Sequence, residues 1–148
     1  MCIRDRHTWP QSWFGSQNKD FKKADLHALF PSNSRANSNR SNNPFGNVDR
    51  NESSVCSAAK SGWSDDLRET AYEPPNSHKG NVARAMFYFA VRYSMNISDA
   101  QEKILKEWHE LDPVDEAEKT RNNQVFDFQN TRNPFIDFPQ LVSAFKDL

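Results

Sequence analysis

Six polar side chains in the first third of the chain, His7, Asp25, His27, Asn37, Arg40 and Asn42, are of the types that handle a phosphate ester. Amide and carboxylate oxygens suit a hard divalent ion such as Mg²⁺, which keeps several waters and takes substrate phosphate oxygens as further ligands. A neutral imidazole near such an ion can take a proton from the attacking water, because an unperturbed pKa of about 6.5 suits transfer near neutrality. Arginine adds a planar fork that meets two phosphate oxygens together. Residue types alone leave two readings open. One is a catalytic cluster; the other is a histidine packed beside Trp9 ahead of an asparagine- and serine-rich loop.

The elements that must position these groups differ between the two halves. His7 to Phe14 is rich in β-favouring aromatics and is interrupted by Pro10. In Asp25 to Phe30, Leu26, Ala28 and Phe30 alternate with Asp25, His27 and Leu29, so residues 7–31 read as extended segments joined by a loop. Residues 31–52 are packed with asparagine, serine and arginine and read by propensity as a loop. Residues 53–72, with Gly62 and Trp63, read as an irregular polar linker. The second half is helical. Val82, Met86, Phe89 and Tyr93 form one apolar stripe over 80–93, and Ser98 with Gln101 forms a capping-box pattern ahead of Ile104, Leu105, Trp108 and Leu111. Asp112 before Pro113 predicts an N-cap opening a helix through about Phe126, and Asp137 with Pro139 and Gln140 repeats that logic for a last short helix.

The 148 residues suffice for one domain with a modest core. Hydrophobic residues at 36% and a mean hydropathy of −0.92, set against an aromatic share of 12%, point to a small aromatic-rich core with long polar connections. No apolar run approaches the roughly 18 residues that span a bilayer. The net charge of −1 gives no overall attraction to a polyanion. Its distribution is uneven: residues 1–50 carry eight Lys/Arg against four Asp/Glu, and residues 98–118 carry two Lys against eight Asp/Glu. A local basic field is sufficient for nucleic acid; the acidic stretch reads as a solvated helix face. Cys2 and Cys56 match no metal knuckle. Met1 to Arg6 lacks the pattern of a signal peptide, and the expectation is a foreign leader ahead of one domain over 7–148 that lacks its N-terminal part.

Four stretches, in order, resemble the signatures of the bacterial endonuclease I family. They are HTWPQSWFG (7–15), ADLHALFPSNSRANSNRSNNPFG (24–46), YEPPNSHKGNVARAMFYFAVRY (72–93) and DPVDEAEKTRNNQVFDFQNTRNPFIDFPQLV (112–142), and they cover nearly everything from residue 7 onward. The resemblance implies an α+β fold with a ββα-metal nuclease core of short strands and a mainly helical C-terminal half. It implies a metal-dependent, non-specific endonuclease acting on DNA, with RNA as a second substrate class, and yielding 5′-phosphate products. The implied ion is Mg²⁺, with Ca²⁺ or Mn²⁺ as alternatives. Contact through the phosphate backbone, a monomer without membrane attachment, and a secreted or periplasmic location are implied as well.

Matched residue by residue, His7 falls on the general base and Asn37 on the asparagine whose side-chain oxygen binds the ion. This makes residues 32–42 a short helix with Ser32 as its N-cap. Arg40 and Asn42 fall on the element that orients phosphate or braces the site, Arg40 being counted with the catalytic groups, and His27 is expected in a supporting or structural role. Glu73 reads as a brace of the fold, with ligation as its alternative role. Arg84 is assigned either to substrate or to an internal ion pair, and Gln129, Asn130, Arg132 and Asn133 either to the nucleic-acid backbone or to caps. One position departs from the family: Arg6 stands where a metal-binding glutamate precedes the histidine, and arginine cannot act as a ligand. Either the leader replaces the true sequence, which the abrupt resumption of the match at His7 favours, or the protein is a nuclease-derived nucleic-acid-binding protein without catalysis.

Overall fold

Strand β1 (Ile3–His7) leads through a 3-10 turn at Gln11–Trp13 to helix α1 (Lys19–Ala24), and a second 3-10 turn at Leu26–Ala28 opens strand β2 (Leu29–Asn33). Helix α2 (Ser34–Arg40) follows directly. The computed structural model describes residues 3–52 and 58–146; Cys2 and Cys56 lie outside them. Strands β1 and β2 pair antiparallel, with Arg6 opposite Phe30 and His7 opposite Leu29, and α2 packs against both. This is a ββα unit. The loop that composition alone predicts over 31–52 is therefore helical in part. The helix starts at Ser34, and Ser32, expected as its N-cap, belongs to the strand. Tertiary anchoring overrides weak propensity here, because the Arg40 guanidinium at the helix end binds the backbone of β1 and its continuation.

Strands β3 (Arg50–Asn51), β4 (Lys60–Ser64) and β5 (Glu69–Glu73) form a second antiparallel sheet in that order. The irregular linker expected over 53–72 is thus corrected. Its segments KSGWS and ETAYE carry almost no apolar alternation, so no apolar period of two announces them; Gly62, Ser64, Ala71 and Glu73 are the buried positions. Gly62 is required at the centre, since a Cβ there would lie 2.0 Å from the Arg50 carbonyl oxygen. An isolated bridge from Phe45 to Tyr72 ties this sheet to the chain leaving the ββα unit.

Five helices complete the chain: α3 (Asn76–Tyr93), α4 (Asp99–Leu111), α5 (Glu116–Gln129), α6 (Pro134–Asp137) and α7 (Leu141–Ala144). The expected stripe on α3 proves too narrow. From Lys79 to Ala90 all but one residue is buried, which is the signature of a central helix. Trp9 and Phe14 stack on Phe89 on one side, and Phe135 and Phe145 pack on Phe87 on another. Ser98 caps α4 as expected, accepting from the Gln101 amide at 3.3 Å, while the Gln101 side chain reaches the Phe45 carbonyl instead of closing the box. The predicted cap at Asp112 is displaced: Asp112 ends α4 and accepts from Gly80 N at 2.8 Å, and Asp115 caps α5. Likewise Asp137 closes α6, which Asn133 caps with Pro134 at its first position, and it does not cap α7. The molecule is α+β. No helix among the described residues is long and apolar enough to cross a membrane.

Candidate active site

His7 sits at the last position of β1, where the antiparallel partner and the end of α1 both come within reach. Its Nε2–H donates to the Lys23 carbonyl at 2.8 Å, and its Nδ1 accepts from the Gln11 side-chain amide at 3.0 Å. A carbonyl can only accept, so the proton is fixed on Nε2 and the basic lone pair is left on Nδ1. The Phe14 ring packs against the imidazole at 5.6 Å between centroids and limits its rotation. A polar cavity opens on this side, lined by His7 and Gln11 and, from α2 and the turn after it, Asn37, Ser41 and Asn42. Residues thirty and thirty-five positions from His7 thus share one cavity with it. Ser41 takes a left-handed conformation, φ 51°, which turns the chain out of the helix and presents Asn42 to the cavity.

Arg40 lies behind this wall. Only 2% of it is exposed, its guanidinium donates to the His7 carbonyl at 2.6 Å and to the Thr8 carbonyl, and it covers the Phe45 ring at 4.0 Å. Of the two roles left open for it, the geometry takes the brace: it holds the backbone that carries the imidazole and does not face the polar cavity.

The other candidates gather elsewhere. His27 is 1% exposed; its Nε2–H donates to the Thr131 carbonyl at 2.8 Å, its Nδ1 has no hydrogen-bond partner, and burial holds its pKa below the ordinary histidine value. Asp25 beside it accepts from Tyr88 Oη and Tyr93 Oη, both at 2.8 Å, and from Gln129 Nε2 at 2.9 Å. Burial, reinforced by Asp25, pushes the Tyr93 hydroxyl up to about 12. Gln129 also accepts from Leu26 N, so it joins α5 to the turn before β2. Arg84 is fully buried and forks onto both Glu118 carboxylate oxygens, at 2.8 and 2.7 Å; it is the internal ion pair. Asn133 caps α6 and donates to the Arg84 carbonyl. Arg132 binds Asp137 through two nitrogens at the surface, and Glu73 braces the second sheet through Lys79, Lys60 and the Val48 amide. These residues position elements; the polar cavity belongs to His7, Asn37 and Asn42. Sequence reasoning passed over Gln11 and Ser41, although both fall within the quoted stretches, Gln11 four residues after His7.

A hard divalent cation would find oxygen donors of the right kind in the Asn37 and Asn42 amides and the Ser41 hydroxyl. All are neutral. No carboxylate lines the cavity, and among the described residues no group of three His, Cys, Asp or Glu side chains could hold a metal ion. The described donors therefore do not compensate a divalent charge.

Comparison with known proteins places this geometry in context. The sequence is 31% identical to an extracellular ribonuclease of Bacillus subtilis (strain 168) over 90% of this chain and 50% of that protein. It is 29% identical to a periplasmic deoxyribonuclease of Aeromonas hydrophila, over 82% of this chain and 51% of the relative. It is 28% identical to an endonuclease-1 of Buchnera aphidicola, over 90% and 59%. The chain spans about half the length of the relatives it matches first. The family model described as Endonuclease I matches residues 1–140, which takes in both strands of the ββα unit, the cavity and the helices behind it, so this chain belongs to the Endonuclease I family.

Proposed function

We propose that the chain is a nuclease hydrolysing phosphodiester bonds of DNA, and of RNA as a second class, with the polar cavity beside His7 receiving the scissile phosphate. The observation that carries this reading is the fixed imidazole. With Nε2–H committed to the Lys23 carbonyl, Nδ1 is the only ring nitrogen able to accept a proton, and the Gln11 amide on it marks where a water would sit. A water taking that place gives its proton to Nδ1 as its oxygen attacks phosphorus, and the leaving 3′-oxygen is protonated from solvent, leaving a 5′-phosphate. Arg40 keeps the His7 carbonyl, and with it the ring, in register. Side-chain donors on Asn37, Ser41 and Asn42 orient the phosphate oxygens. Contacts confined to phosphate carry no base information, which accords with cleavage at any sequence, and binding weakens steeply with salt. The likeness to extracellular and periplasmic nucleases supports action outside the cytoplasm. The neutral donors described around the cavity do not balance a divalent ion, and the proton transfers use His7 and solvent.

Nicking of supercoiled plasmid tests the proposal, with folding followed by circular dichroism. His7→Ala is expected to lower the cleavage rate by about 10²–10⁴-fold with the spectrum unchanged, the range for loss of a general base. Equal cleavage by the folded variant would overturn it. A second reading, nucleic-acid binding without cleavage, is favoured by Arg6 in place of the family's glutamate. It expects plasmid retardation with no nicking by the unaltered chain.

A further inference from the structure

A second cavity, of about 240 Å³, shares His7 with the polar one, and its character is different. Aromatic and proline side chains supply much of its wall, Phe30 and Pro31 of β2, Tyr72 of β5, Pro74 and Pro75 beyond it, and His78 of α3, and Arg40 lines it as well. The walls are held in place. The Arg121 guanidinium covers one face of the Phe30 ring at 4.3 Å, and the His78 ring meets Phe30 edge-on at 4.9 Å. Burial keeps His78 below the ordinary histidine value, so its ring is neutral at pH 7. His7 lines both cavities, so they adjoin one another at the end of β1.

From this juxtaposition we propose that the aromatic cavity is a nucleobase subsite, taking the unstacked base of the nucleotide whose phosphate occupies the adjoining polar cavity. The inference rests on the reading of the polar cavity as the phosphate site. Flat aromatic walls accept any base through its π-face, and such stacking is sequence-tolerant. Every base within a duplex is stacked, so the site selects single-stranded or frayed substrate over intact duplex. An alkyl chain would fill the same volume but would have no reason to lie beside a polar cavity; a base and its phosphate, joined through one sugar, are matched by an aromatic and a polar cavity that share a lining residue.

The test compares 2′-deoxyadenosine 5′-monophosphate with 2-deoxyribose 5-phosphate, titrated into the isotopically labelled chain and followed by amide chemical shifts. The expected result is that the nucleotide moves residues of both cavities, Phe30, Tyr72 and His78 as well as His7, Asn37 and Asn42. The sugar phosphate should move only the second set and bind about tenfold more weakly, the scale of one stacked base. In Phe30→Leu that tenfold advantage should disappear, while sugar-phosphate binding stays and confirms that the chain is folded. A nucleotide that moves only the polar-cavity residues overturns the base subsite and leaves the nuclease reading standing. One that moves only the aromatic residues overturns the proposed pairing of the cavities, and the absence of shifts in either set overturns both readings.

Discussion

A histidine acquires direction as a base when one of its nitrogens is already bound, and His7 has that property because β1 ends beside the last turn of α1. His27 is the opposite case. It is buried, its Nδ1 is unpartnered, and desolvation lowers its pKa below 6.5, against the partial support of the Thr131 carbonyl and Asp25. Its unfolded counterpart binds a proton at pH values where the folded ring does not. Stability is therefore full above about 6.5 and falls as the pH drops through the window between that value and the folded one. His78 and His109 are lowered by burial too and act in the same sense, whereas the raised Glu118 carboxyl loses its contribution as pH rises through its own range. The urea midpoint is expected to fall between pH 7.5 and pH 5.5, and less steeply in His27→Gln. An equal slope in that variant would show that the proton is taken up elsewhere. The pairing of His7 with Asn37 was legible in the sequence only through resemblance, since no spacing rule joins two residues thirty positions apart. Gln11 was not read as a partner at all, because an exposed glutamine carries no signal until the ring it touches is placed.

Elements announced themselves where apolar residues recurred at a regular spacing and hid where glycine, serine and glutamate held the buried positions. The Ser98 cap and the helix from Asn76 to Tyr93 follow from residues adjacent in sequence, so local reasoning finds them. Strands β4 and β5 are set by pairing with one another, and α1 by docking on α3, where Lys22 Nζ reaches the Phe14 carbonyl and lies over the Tyr93 ring. Asp112 looked like a cap because Pro113 follows it; its carboxylate is instead spent on Gly80, whose missing side chain lets the Asp112 carbonyl oxygen approach to 1.8 Å of where a Cβ would be. That junction of α3, α4 and α5 is centred on Arg84, which also meets the Asp112 carbonyl and His109. Arg84→Leu leaves the Glu118 carboxylate buried without its partner and is expected to cost about 3–5 kcal/mol, read as a lower urea midpoint. Because a buried pair is often replaceable by apolar groups of similar volume, the double variant Arg84→Leu, Glu118→Leu should recover much of that loss. If it is no more stable than the single variant, packing and not the orphaned charge holds the junction.

At the scale of the whole molecule, charge is divided along the chain: the basic excess lies in residues 1–50, which build the ββα unit, and the acidic excess in residues 98–118, which build α4 and the start of α5. A net charge of −1 is thus compatible with attraction of a polyanion to one part of the surface. Among the described residues that line the polar cavity a divalent ion lacks a counter-charge, and position 6, adjacent to His7 on β1, is where the family resemblance implies a glutamate. Arg6→Glu replaces a cation with an anion there. Since a ligand that binds only the folded state stabilises it by about 2.7 kcal/mol at a hundredfold excess over Kd, Mg²⁺ binding is measurable without any cleavage. The unaltered chain is expected to show the same Tm with and without 10 mM Mg²⁺, on the order of a hundredfold excess for a site binding at about 0.1 mM. Arg6→Glu should show a Tm raised by several degrees and Mg²⁺-dependent nicking, and adding Asn37→Ala should remove both. A rise in Tm that survives Asn37→Ala would place the ion away from the polar cavity. A rise in Tm without Mg²⁺-dependent nicking would show that an ion held there does not serve cleavage.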